Sequence, residues 1–294
     1  MPDLSAYVVD PSDPRAPSQA AWDAMSPDDR DRVVASLPAS PDPLRSALPE
    51  GDRHRQAKTK ATDALDRYFG RAGRRIYVSS ELATYYPGEA VFAPDVLAVT
   101  DVDPGSRSSW IVNREGRGLD FVLEVTDKGR STKDTVDNVD RYERLGLGEY
   151  FVLDLARNRL LGYRLPAPGA RAYTRLVPQR GVVASAVLGL GLALEDDRVR
   201  FYLDGASLPE AEELIARLDR MVNDVLERRL AEAEERAAAA EARAEVEARR
   251  ADTEARRADT EALRADAEAE AHRLAEGEVA ALKARLAEIE SGRG

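Results

Sequence analysis

After Pro209 the chain contains no further proline and no aromatic residue, and Ala, Glu and Arg dominate it as far as Gly294. Helix propensity is close to its maximum in such a composition, so the stretch from about Leu208 has one regular structure open to it, a single long helix. Within it Ala248-Arg-Arg-Ala-Asp-Thr-Glu254 recurs as Ala255 to Glu261, and a looser copy runs from Ala262 to Glu268. This seven-residue repeat sets Ala248, Ala251, Ala255, Ala258, Ala262 and Ala265 at alternating spacings of three and four, the seam of a coiled coil made from small side chains. Alanine buries little area. Stronger apolar seams flank it, Leu214, Leu218, Met221 and Val225 before and Val279, Leu282, Leu286 and Ile289 after, so its ends are expected to carry the association. The expected outcome is a homodimer through this coiled coil; the competing possibility is a solitary, solvated helix.

The rest of the chain has a different grammar. Residues 1–50 are rich in Pro, Asp, Ser and Ala and read as an N-terminal arm with one short helix, Ser26 to Leu37, in which Ser26 is the N-cap and Pro27 the first helical residue. From Asp52 to Phe69, Ala57, Ala61, Ala64, Leu65 and Tyr68 share one helical face, and Gly70 and Gly73 are expected to end the helix. Short β-rich runs follow at Ile76 to Ser79, Val91 to Val99, Trp110 to Val112 and Leu119 to Val125. Helical spacing returns over Lys133 to Leu145, and two more strands are expected at Tyr150 to Leu155 and Leu160 to Leu165. A strand, a crossing helix and another strand predict an α/β fold, a mixed sheet flanked by helices. Gly-punctuated apolar runs at about 170–206 read as a β appendage on that sheet. The expected domains are the arm at 1–50, a core with its appendage at 51–206, and the helix at 207–294.

Composition narrows the chemistry. With no cysteine there is no disulfide, thiolate metal site or thiol nucleophile. Only His54 and His272 are histidines, so a multi-histidine zinc site is excluded and a metal would rest on carboxylate oxygens, which favours Mg²⁺ or Mn²⁺. No run approaches the roughly 18 apolar residues of a membrane span, and the N-terminal residues lack the pattern of a signal peptide, so a cytoplasmic protein without a membrane partner is expected. The formal net charge of −11 looks hostile to DNA. From Glu210 onward, however, there are 23 acids and 15 bases, whereas the preceding residues carry 31 acids and 28 bases. The part outside the helix is therefore close to neutral and can present a local basic face.

Two strands each hold one acid inside an apolar run: Asp95 in Ala93-Pro-Asp-Val-Leu-Ala-Val99, and Glu124 in Phe121-Val-Leu-Glu-Val125. An ionised carboxylate in such surroundings costs several kcal/mol unless it is paired or metal-bound. If the strands are neighbours, the two carboxylates can share one divalent cation, which would polarise a phosphodiester and lower the pKa of a bound water. A lysine would orient the nucleophile and balance charge, and Lys128 and Lys133 are the candidates.

These residues resemble the PD-(D/E)xK nuclease superfamily and, more narrowly, the Uma-type restriction endonuclease family. The resemblance runs from about His54 to Leu165 through FAPDVLAV, DFVLEV, KDTVDNVDRYERLGLGEYFVLD and GYRL. It implies a restriction-endonuclease-like mixed sheet and Mg²⁺-dependent hydrolysis of DNA, with Asp95, Glu124 and the Val125 carbonyl on the metal and Lys133 or Lys128 beside the nucleophile. The chain departs from the pattern at Thr126, where the superfamily has its lysine, and at Asn138, where many family members place one instead. That departure keeps a second class open, a catalytically inactive nuclease-like scaffold that binds DNA or a protein partner through the coiled coil.

Other polar residues have ordinary explanations. Asp154 at a strand end is either a third metal ligand or, as such acids more often are, the cap of the following turn. His54 at the start of the first long helix either contacts phosphate or metal or is simply solvated, Gln56, Lys58 and Lys60 on that helix either face DNA or face solvent, Glu81 is open in the same way, Tyr85-Tyr86-Pro87 reads as packing, and His272 as part of the arm.

Overall fold

The computed structural model describes residues 7–39, 51–127 and 136–291. The chain divides into two units, Met1–Ile215 and Ala216–Gly294. Within the first, two short helices, α1 (Gln19–Ala24) and α2 (Pro27–Ser36), precede the long helix α3 (Asp52–Ala72). Ser26 caps α2, its side-chain oxygen accepting the Asp29 N–H at 3.2 Å. Helix α3 passes through Gly70 and ends at Gly73, whose φ of +64° is the left-handed cap that glycine adopts without strain.

The main sheet is six-stranded, in the order β1 (Ile76–Ser79), β3 (Val96–Thr100), β5 (Phe121–Thr126), β6 (Glu149–Asp154), β7 (Arg159–Arg164), β8 (Thr174–Arg175). Strands β5 and β6 are parallel, and every other pair in the sheet is antiparallel. The helix α5 (Asn138–Leu145) lies in the connection between the two parallel strands, as a parallel pair requires. A small parallel pair, β2 (Thr84–Tyr85) with β4 (Trp110–Ile111), leads into the one-turn helix α4 (Val112–Glu115). A second sheet, β12 (Ala206–Ser207), β11 (Arg198–Leu203), β10 (Leu190–Glu195), β9 (Val183–Ser185), is antiparallel throughout.

Strand alternation sorts the core into two layers. Val96, Ala98, Phe121, Leu123, Phe151 and Leu153 pack with Ala57, Ala61, Leu65 and Phe69 of α3 and with the second sheet. Leu97, Val99, Val122, Tyr150 and Val152 pack on the other face with Tyr142 of α5 and with Trp110. A third cluster seats Trp22, Val33 and Leu37 of the N-terminal segment against Ala83, Tyr85 and Ile111. The expected strand Val91 to Val99 begins only at Val96, because Pro94 has no N–H to give a ladder and Phe92 instead bridges to Thr84.

The helix α6 runs from Ala211 to Ser291, 81 residues or about 120 Å of helix. From Ala216 to Ala287 its apolar side chains are exposed in this chain: Leu218, Val225, Leu263, Leu282 and Leu286 are all more than half accessible. Pairs one turn apart, Glu232 with Arg236, Glu245 with Arg249 and Asp252 with Arg256, line its surface. Among the described residues no helix is long and apolar enough to cross a membrane.

Candidate active site

Strands β3 and β5 are antiparallel neighbours, with Val96 opposite Leu123 and Leu97 opposite Val122. One further step in that register sets Asp95 opposite Glu124. The hydrogen bonds agree: the Asp95 N–H donates to Glu124 Oε2 at 3.3 Å, and the Val125 N–H donates to Asp95 Oδ2 at 2.7 Å. By alternation Glu124 lies with Val122 on the face that α5 covers, whereas Asp95, in the bend just before β3, reaches toward α3. Opposed like charges repel, so this juxtaposition needs compensation.

Each carboxylate is held in place by a side chain from a helix. His54, in the first turn of α3, puts Nε2 3.1 Å from Asp95 Oδ2, and both side chains are 15% exposed. Tyr142 of α5 donates its hydroxyl to Glu124 Oε1 at 2.7 Å inside the core. Burial, reinforced by the Glu124 charge, pushes the Tyr142 phenol well above its ordinary pKa, so it remains a donor at any physiological pH. Asn138, one turn before Tyr142 on α5, is buried on the same side, and Thr126 is buried at the end of β5. Lys58, one turn after His54 on α3, is 5% exposed and forms an ion pair with Glu81.

Of the residues singled out in the sequence, Asp95, Glu124 and Val125 come together. Lys128 and Lys133 lie outside the described residues. Asp154 is fully buried and accepts the Arg157 N–H at 3.1 Å and the Arg159 Nε at 3.0 Å, the partners of a turn cap. Burial by itself would raise its pKa; the hydrogen bonds from Arg157 and Arg159 outweigh that and hold it below the ordinary carboxylate range. Tyr85 and Tyr86 are packing residues, the first donating its hydroxyl to the Pro38 carbonyl at 2.6 Å and the second accepting the Leu119 N–H at 2.7 Å. His272 stands beside Glu276 on the exposed surface of α6.

Sequence reasoning passed over His54 and Tyr142 as partners of the carboxylates. A signal for the first was present: positions 54, 58, 61 and 65 continue the buried stripe of α3 at spacings of four, three and four, so two polar residues occupy core-facing positions. For Tyr142 there was none, because a tyrosine on an apolar helix face looks the same whether or not its hydroxyl has a charged partner.

Two opposed carboxylates offer oxygen donors only, which suits a hard divalent cation. Among the described residues no group of three or more His, Asp or Glu forms a ready cage. A cation that keeps several waters and takes one or two carboxylates besides substrate phosphate fits this donor set, whereas a fully protein-ligated metal does not.

A family model described as "Uma2: Putative restriction endonuclease" matches residues 44–196, just over half of the chain. Among solved structures, a "putative nuclease belonging to DUF820" from Anabaena variabilis ATCC 29413 is similar, with 14% identity and a TM-score of 0.40 over 51% of this chain and 82% of that one. Comparison with curated proteins finds no match.

Proposed function

The chain belongs to the Uma2 family, and from that premise we propose that it is an endonuclease that hydrolyses DNA phosphodiester bonds with Mg²⁺ or Mn²⁺. The observation that supports this best is the juxtaposition of Asp95, just before β3, with Glu124 of β5, the Asp95 N–H donating to Glu124 and each carboxylate held by a hydrogen bond from the chain. Asp95, Glu124 and the Val125 carbonyl would hold the ion. When bound, the ion polarises the phosphodiester and makes water a nucleophile at neutral pH.

The protein's own residues do the positioning. The Val125 N–H and His54 fix Asp95, and the Tyr142 hydroxyl fixes one oxygen of Glu124 while leaving its second lone pairs available. Lys133 or Lys128 orients the attacking water. Helix α6 joins two chains as a coiled coil, so that two active sites act on the two strands of one duplex, which isologous pairing provides economically. The same reading places the protein in the cytoplasm, with DNA as its substrate.

Thr126 and Asn138 favour a second reading, an inert nuclease-like scaffold, because both positions where the resemblance expects lysine lack one. Calorimetric titration with Mn²⁺ separates the two. The nuclease reading expects saturable binding that Asp95→Ala and Glu124→Ala each abolish. Absence of binding to the unaltered protein would favour the scaffold.

A further inference from the structure

Lysine is among the residues least often buried, because its ammonium must be desolvated and its stem ordered. Lys58 is nevertheless 5% exposed on the inner face of α3. Its partner Glu81 has a side chain 53% exposed, so the ion pair lies at an opening in the surface and not in the sealed core. Glu81 is itself held in an unusual backbone state, with φ of +52°. Its N–H donates to the Pro94 carbonyl at 2.9 Å, one residue before Asp95. His54, one turn before Lys58 on the same face, touches Asp95. Lys58 is therefore tied to the Pro94–Asp95 segment twice, along its own helix through His54 and across the ion pair through Glu81.

We propose that Lys58 is a catalytic residue of the nuclease site, the ammonium that donates a hydrogen bond to a non-bridging oxygen of the scissile phosphate, with Glu81 as the counter-ion that holds it there. The inference rests on the nuclease reading and adds to it. It supplies from α3 the positive charge that Thr126 and Asn138 lack, and it leaves the orientation of the water to Lys133 or Lys128. A cation at this position repels a divalent ion between Asp95 and Glu124, and Glu81 attenuates that repulsion. The two halves of the ion pair therefore have opposite effects on metal affinity, which an ion pair remote from the site does not produce.

The test is calorimetric titration of the full chain with Mn²⁺, together with plasmid cleavage. Lys58→Met, which keeps the buried stem, should bind Mn²⁺ about fivefold more tightly, and Glu81→Gln about fivefold more weakly. Lys58→Met should also cut plasmid on the order of 100-fold more slowly, with partial recovery in Lys58→Arg. If Lys58→Met loses its far-ultraviolet circular dichroism, Glu81→Gln, at a half-exposed side chain, carries the metal test alone. Mn²⁺ affinities within twofold of the unaltered protein, in a protein that binds Mn²⁺ and cuts, would overturn the role of Lys58 and leave the nuclease reading standing. No Mn²⁺ uptake by the unaltered protein would overturn both.

Discussion

Two carboxylates brought together in a partly buried site repel each other unless donors compensate them. Asp95 and Glu124 offset part of this with hydrogen bonds from the Val125 N–H and the Tyr142 hydroxyl. Tyr142→Phe should therefore leave a buried, charged oxygen unsatisfied and cost about 1–3 kcal/mol, read as a lowered urea midpoint with unchanged slope. Unaltered stability would mean that the hydroxyl does not support Glu124. At this scale the sequence was partly legible. An acid in each of two apolar strands marks itself by its cost, which is why Asp95 and Glu124 stand out. His54 and Lys58 were legible only through the continued stripe of α3, and Tyr142 not at all, because the proton on its oxygen leaves no trace in the apolar pattern.

Elements are held to one another by close approaches and by charge, and both can be tested. Gly162 of β7 faces Phe151 and Val183, and a Cβ there would lie 2.9 Å from Phe151 Cε1 and 3.1 Å from Val183 Cγ1. Phe151 is fully buried and cannot yield, so Gly162→Ala should destabilise by about 1–3 kcal/mol in urea denaturation. At the start of α6, Glu210 accepts the Arg198 Nε, at 2.6 Å, and pairs with Arg200 Nη1 at 2.8 Å, which ties the helix to β11. Burial alone would raise the Glu210 pKa, but the two guanidinium groups prevail and lower it from 4.5 to about 2. A depressed folded-state pKa contributes stability that is complete above the unfolded value and lost as the pH falls toward the folded one. The gap in melting temperature between the unaltered protein and Glu210→Gln should thus be full near neutral pH and close between about pH 4.5 and 2. A gap independent of pH would contradict this. The longer helices and the central strands were legible from their periods, whereas the short helices α1 and α4 were not, nor was the late start of β3, since Pro94 acts on the ladder and the apolar run continues through it.

At the scale of the molecule, α6 is where composition speaks most plainly: 81 residues of helix with no proline or aromatic residue. Leu218, Met221 and Val225 are all more than half exposed at spacings of three and four, a seam that pays only when it meets another. Light scattering on the full chain should give the mass of a dimer, and Met221→Asp with Val225→Asp together should give that of a monomer. A monomeric unaltered chain would contradict the coiled coil. The central claim is that the Asp95 and Glu124 pair cuts DNA with a divalent ion, and incubation with supercoiled plasmid tests it most directly. Nicked and linear products are expected in Mg²⁺ or Mn²⁺, none in EDTA, and none from Asp95→Ala. Undiminished cleavage by Asp95→Ala, or by the unaltered protein in EDTA, would contradict it.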